Sequence, residues 1–229
     1  TQIARSAVGV GALAIAAPLA ASVLLAFASG GYFIRSWGVA ALVLLGVLAL
    51  LVLAQARIVG GSTIGLALGG WGLFALWQGA SAWWANEPIA AQTAMGLTLL
   101  YATVFALGAL GIQRVDWLRF VSVGTLIATW VPVSTALAAR LFPDQVSGDN
   151  LARLTWPITY WNGLGALAAF GLLLGIGLAG SPNLDRIARA VALASTPVFG
   201  LTLYLTQSRG AILDRKSTRL NSSHVRLSR

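Results

Sequence analysis

Long apolar runs alternate with short polar interruptions along this 229-residue chain. A membrane-crossing helix needs about 20 mostly apolar residues. Seven runs meet that length, at about 8–28, 37–56, 62–82, 90–112, 119–138, 160–180 and 188–207. The expected fold is therefore all-α, a polytopic transmembrane helical bundle of about seven spans. Ile58 to Gln113 contains no Lys or Arg and is too long for one span. Its turn is expected at Ser81-Ala82-Trp83-Trp84-Ala85-Asn86-Glu87-Pro88. Tryptophan favours the headgroup level, and Pro88 suits the first position of the next helix. Gly65 with Gly69, and Gly171 with Gly175, are four residues apart. Both pairs are candidate faces for close helix contact.

Loop charges suggest an orientation. With the amino terminus inside, the inner loops carry Arg5, Arg57, Arg114, Arg119, Arg186 and Arg189. The outer loops carry Arg35, Arg140, Arg153 and Arg209, with Glu87, Asp144 and Asp149. The excess of basic residues inside and the acid-only loop at Glu87 favour a cytoplasmic amino terminus. The 139–159 loop and the Ser208-Arg209-Gly210 corner then face outward. Arg5 followed by an apolar run imitates a signal peptide, but the run is long and at least six more follow, so an uncleaved first helix is expected.

Composition narrows the class further. Hydrophobic residues make up 58% of the chain and charged residues 9%, too few charges to cover a water-soluble surface. The absence of cysteine excludes a thiolate zinc site and cysteine catalysis, and one histidine excludes a multi-histidine metal site. The net charge of +9 does not indicate nucleic-acid binding. Residues 1–214 carry ten basic and six acidic side chains, whereas 215–229 carry five basic and no acidic ones. That tail, from Arg215 to Arg229, is polar, basic and aperiodic. It resembles translated adapter DNA joined to predicted proteins from environmental assemblies. The reading frame is then expected to continue beyond 214, and His224 is not a catalytic candidate.

Three polar places need a reason. The 139–162 segment is the longest polar loop, and its Arg153 precedes a proline, two tryptophans, Tyr160 and Asn162. It reads either as an interfacial anchor, with arginine snorkelling among aromatics, or as an anion site at the bundle mouth. The second place is Thr206-Gln207-Ser208-Arg209-Gly210, at the end of the seventh span. Here too a snorkelling anchor competes with a site. Gly210 would let a ligand approach the backbone, Ser208 would donate a hydrogen bond, and Arg209 would fork onto phosphate oxygens. The third is Asn162, near the start of span six, a polar amide expected to seek a protein partner through a helix–helix hydrogen bond. Trp71, Trp77 and Trp130 read as packing residues. Asp185-Arg186 and Arg114-Val115-Asp116 read as ordinary inner turns.

Arg153-Leu154-Thr155-Trp156-Pro157-Ile158-Thr159-Tyr160-Trp161-Asn162 opens one span, and Leu205-Thr206-Gln207-Ser208-Arg209-Gly210-Ala211 closes the next. This order resembles the bacterial O-antigen ligase and O-antigen polymerase superfamily over residues 1–214. The resemblance implies a multispan glycosyltransferase of the bacterial inner membrane. Its donor would be a glycan on undecaprenyl pyrophosphate. Its periplasmic acceptor would be the lipid A core, another lipid-linked repeat unit or a protein. No nucleotide sugar, cofactor or metal is implied. Arg209 and Arg153 match the family's arginines and would stabilise the charge of the departing pyrophosphate. Tyr160, Asn162, Ser208 and Gly210 would bind substrate. The family's large periplasmic loop, with a further arginine and a histidine, has no counterpart here. Residues 1–214 are thus expected to be an amino-terminal fragment, inactive alone. A transporter or flippase would favour mid-membrane ionisable groups or repeated halves, and neither is evident in the sequence. A non-enzymatic assembly protein is the other alternative.

Overall fold

The computed structural model describes residues 2–54, 61–112, 115–142 and 154–206. Among them are seven α-helices: α1 (Gln2–Phe27), α2 (Ile34–Leu53), α3 (Gly61–Ser81), α4 (Pro88–Gly111), α5 (Val115–Leu141), α6 (Trp161–Ala179) and α7 (Arg186–Thr206). No strand occurs among the described residues. A helix satisfies its backbone within its own segment, which is the requirement that lipid imposes. Pro18, Pro132 and Pro197 lie inside α1, α5 and α7, a placement that soluble helices rarely tolerate and membrane helices do.

Six of the seven helices are long and apolar enough to cross a bilayer: α1, α2, α4, α5, α6 and α7. The protein is a multi-pass membrane protein. Large apolar side chains stand outward along these helices, among them Leu24, Leu42 and Leu173, each 70% exposed or more. In water such a surface would aggregate; in lipid it is solvated. The exception is α3. Its 21 residues give a length of roughly 31 Å, but Gly61, Ser62, Thr63, Gln78 and five more glycines dilute its apolarity. The expectation of seven spans is thus met in helix number and length, and in apolarity by six.

Helix ends follow local chemistry. α1 stops where Ser29, Gly30 and Gly31 all take positive φ (57°, 68° and 72°). Glycine adopts that region freely and serine does not. The α3–α4 turn falls where the sequence places it, with Pro88 in the first turn of α4. Trp83 is 89% exposed. At the other connector, Asp185 Oδ1 accepts the Ala188 amide at 2.6 Å and caps α7. Arg189 Nε donates to the Ala179 carbonyl at the end of α6, at 2.9 Å.

The chain forms two compact units, Thr1–Ala128 and Thr129–Arg229, divided within α5. In the first, Ala14 of α1, Leu44 and Leu51 of α2, and Leu100, Leu107 and Leu110 of α4 form a common core. These positions recur at helical spacing, as do the partly buried Val10, Ala17, Ala21, Trp37, Ala41 and Leu48 around them. Glycines mark the closest approaches. Gly111 at the end of α4 lies against Ile15 and Gly11 near the start of α1, so these two run antiparallel. Gly11 meets Trp117, and Leu19 meets Gly124, so α1 and α5 run parallel. Gln78 and Gly79 of α3 meet Thr98 and Met95 of α4 in antiparallel order. Thr98 Oγ1 donates to Gln78 Oε1 at 2.6 Å, a polar link between helices. α3 therefore keeps the up-and-down alternation despite its weaker apolarity.

In the second unit, α6 and α7 pair along a seam of small residues. Among the buried positions are Leu164, Ala168, Gly171 and Gly175 on α6, and Ala192, Ser195, Phe199, Thr202 and Thr206 on α7. Both sets follow the alternating three- and four-residue spacing of a helix–helix seam. Gly171 faces the Phe199 ring, and Gly175 faces the Ala192 carbonyl and Ser195 Oγ. The pair Gly171–Gly175 is thus a packing face, as its spacing suggests. Gly65 and Gly69 are not: nothing in the described chain lies within 4 Å of a side chain built at either.

Candidate functional site

The antiparallel seam fixes which ends of α6 and α7 meet. Gly175 pairs with Ala192 and Ser195, and Gly171 with Phe199. The start of α6 therefore lies beside the end of α7. The chain entering α6 closes on the same place: the Leu154 amide donates to the Leu205 carbonyl at 3.5 Å. Leu154 and Pro157 are buried there, while Tyr160 and Asn162 are exposed.

Residues 154–160 form a tight entry to the helix. The Thr159 amide donates to the Thr155 carbonyl at 2.7 Å, and Thr159 Oγ1 to the Ile158 carbonyl at 2.6 Å. Thr159 takes φ 65°, a left-handed conformation costing a β-branched residue about 1–2 kcal/mol. Tyr160 then turns to extended backbone as the residue preceding α6. Its carbonyl accepts the Leu164 amide at 3.0 Å, the first turn of the helix. A side chain built at Gly163 would approach Tyr160 Cδ1 at 3.2 Å, so the tyrosine ring lies over that glycine.

Asn162 Nδ2 donates to the Tyr160 hydroxyl at 2.9 Å. Two of the residues singled out in the sequence are therefore brought into direct contact. The Tyr160 and Trp161 rings are 5.8 Å apart and tilted by 44°. The result is an exposed polar pair with aromatic flanks at the positive, amino-terminal end of a 19-residue helix. Asn162 thus finds a partner on its own turn.

Arg153, Ser208, Arg209 and Gly210 lie outside the described residues. Leu154 and Leu205, the described neighbours of the two signatures, are hydrogen-bonded to each other.

The sequence reading missed a buried hydroxyl stripe on α7. Ser195, Thr202 and Thr206 all face inward, Thr202 and Thr206 with no exposure at all. Ser195 Oγ donates to the Ala192 carbonyl, and Thr206 Oγ1 to the Leu203 carbonyl, each at 2.7 Å. Among the described residues Thr202 Oγ1, which is buried, has no hydrogen-bond partner. The signal was available: 195, 202 and 206 share the spacing of Ala192 and Phe199. Trp77 is 65% exposed and packs edge-on against Trp84.

No family model matches the chain, and no curated protein or solved structure matches it either.

Proposed function

We propose that the chain belongs to a glycan transferase of the O-antigen ligase or polymerase type, acting at the periplasmic face of a bacterial inner membrane. The observation carrying this reading is the Leu154–Leu205 hydrogen bond at the mouth of the antiparallel α6–α7 pair. It links two segments 51 residues apart whose continuations hold Arg153 on one side and Ser208-Arg209-Gly210 on the other. The Tyr160–Asn162 pair opens at the same helix start.

In this reading the donor is a glycan on undecaprenyl pyrophosphate. An acceptor hydroxyl on a lipid A core, a second repeat unit or a protein attacks the anomeric carbon and releases its proton to the water at the membrane face. The bond from that carbon to the pyrophosphate oxygen breaks, and the pyrophosphate lipid leaves with the electron pair. Negative charge therefore grows on the leaving oxygen. Arg153 and Arg209 would stabilise it by charge-assisted hydrogen bonds, worth more where water is excluded. Ser208 and the Gly210 backbone would hold the pyrophosphate, while Tyr160 and Asn162 would orient the sugar. No cofactor takes part. The cytoplasmic amino terminus and outward-facing site follow from loop charge.

The test uses the reading frame recovered from genomic DNA across codon 214, so that the basic tail has no influence. Arg209→Ala is expected to abolish transfer from a polyprenyl-pyrophosphate glycan in proteoliposomes while membrane insertion is retained. Full transfer by that variant would remove the assigned role.

A further inference from the structure

The connector between α6 and α7 carries charge that the transferase reading does not use. Asp185, Arg186 and Arg189 are the only charged residues between Arg153 and Arg209, and all three are exposed. They lie at the opposite end of the α6–α7 pair from Tyr160 and Asn162, one 19-residue helix or about 28 Å away. Arg186 begins α7 and Arg189 stands in its first turn. Cations there oppose the helix dipole, so helix stability does not account for the pair. Residues three apart share a helix face, which puts both arginines on one side of α7.

Arg189 is held in place. Its Nε donates to the Ala179 carbonyl at the end of α6, at 2.9 Å. That bond uses one of the five N–H donors of a guanidinium and fixes its plane at the junction of the two helices. The hydrogens on Nη1 and Nη2 form the fork that matches paired phosphate oxygens. Asp185 accepts the Ala188 amide through Oδ1 at 2.6 Å. Its carboxylate offsets one of the two arginines, so the connector keeps a net positive charge. One turn deeper the surface is apolar. Leu193, four residues beyond Arg189, is 59% exposed, and Ile176, three before Ala179, is 55% exposed. A cationic edge above an apolar slope, at the end of two helices long enough to span, matches the polarity of a phospholipid.

We propose that the α6–α7 connector binds an anionic phospholipid, one whose phosphate no ammonium balances. The phosphate takes the Arg189 fork and the Arg186 guanidinium, and one acyl chain runs along Leu193 and Ile176. The ammonium of a zwitterionic lipid would meet two arginines and one carboxylate, a net repulsion.

Native mass spectrometry of the full chain, released from micelles with equal amounts of phosphatidylglycerol, phosphatidylethanolamine and phosphatidylcholine, tests this. The glycerol lipid should be retained over the other two. Basic residues elsewhere, those of 215–229 included, act equally in every variant, so differences between variants carry the result. Arg186→Gln and Arg189→Gln should each lower the preference about fivefold, the effect of one basic residue at a charged bilayer surface. Asp185→Asn keeps a capping side chain and removes the opposing charge, and should raise the preference about two- to fivefold. Arg35→Gln removes the same charge from the other unit and should change it less than about twofold. Arg186→Gln and Asp185→Asn leave the Arg189–Ala179 bond in place, so the outcome does not depend on how Arg189→Gln folds. Four results would overturn the proposal: equal retention of all three lipids, no response to Arg186→Gln and Asp185→Asn, a loss with Arg35→Gln as large as with Arg186→Gln, or displacement of the glycerol lipid by inorganic phosphate. None of these readouts depends on glycan transfer, so the lipid site can fail while the transferase reading stands.

Discussion

Replacing Gly171 by alanine tests the α6–α7 seam directly. A methyl group there would overlap three carbons of the Phe199 ring. That ring is completely buried, so it has no open side to swing into. Overpacking of this kind costs about 1–3 kcal/mol. Against it stands the better helix propensity of alanine, about 1 kcal/mol. The expected net effect is a loss of roughly 0–2 kcal/mol. Gly65→Ala is the internal control. Nothing lies within 4 Å of its new methyl, so only the gain of up to about 1 kcal/mol remains. The two variants should therefore differ by about 1–3 kcal/mol although the chemical change is identical.

Reversible unfolding in mixed micelles with increasing dodecyl sulfate, followed by circular dichroism, measures both. Adding Phe199→Leu to Gly171→Ala should remove most of the clash. The double-mutant cycle should then show a favourable coupling of about 0.5–3 kcal/mol. Equal shifts for Gly171→Ala and Gly65→Ala, or a coupling of zero, would refute the close contact. The antiparallel register that joins the site's two halves would fall with it.

Three further outcomes are expected. Thr202→Val should leave stability unchanged or raise it by about 1–2 kcal/mol in the same titration, because its buried hydroxyl has no partner among the described residues. Thr98→Val should cost about 0.6 kcal/mol, a typical bond between membrane helices, and the loss should vanish in a Gln78→Leu background. The chain has no native cysteine, so single cysteines report topology cleanly. With an impermeant maleimide on intact cells, a cysteine replacing Glu87 should label, and one replacing Ser62 should label only after permeabilisation. Labelling of both in intact cells would mean that α3 does not cross the membrane.

The uneven legibility of this chain follows from what lipid demands of a sequence. Lipid requires length and apolarity from every span, and both can be read residue by residue, so the helix limits and the turn before Pro88 emerge from the sequence. Helix partners are different. Gly65-x-x-x-Gly69 and Gly171-x-x-x-Gly175 have the same local form, but among the described residues only the second meets a neighbour. The deciding residue is Phe199, 28 positions away on another helix, and no local pattern contains it. The hydroxyl stripe was obscured for a related reason. Serine and threonine scattered through an apolar run look incidental until the seam is known, and only then do Ser195, Thr202 and Thr206 share its inner face. The candidate site sits between these cases. Tyr160 and Asn162 are two residues apart and turn out to be hydrogen-bonded, a contact that their spacing already allows. The approach of Leu154 to Leu205 depends on α6 and α7 folding back on each other. It is therefore the first feature of the site that a weakened seam would remove, and Gly171→Leu, bulkier than alanine at the Phe199 contact, should disrupt it without touching any residue assigned to the substrate.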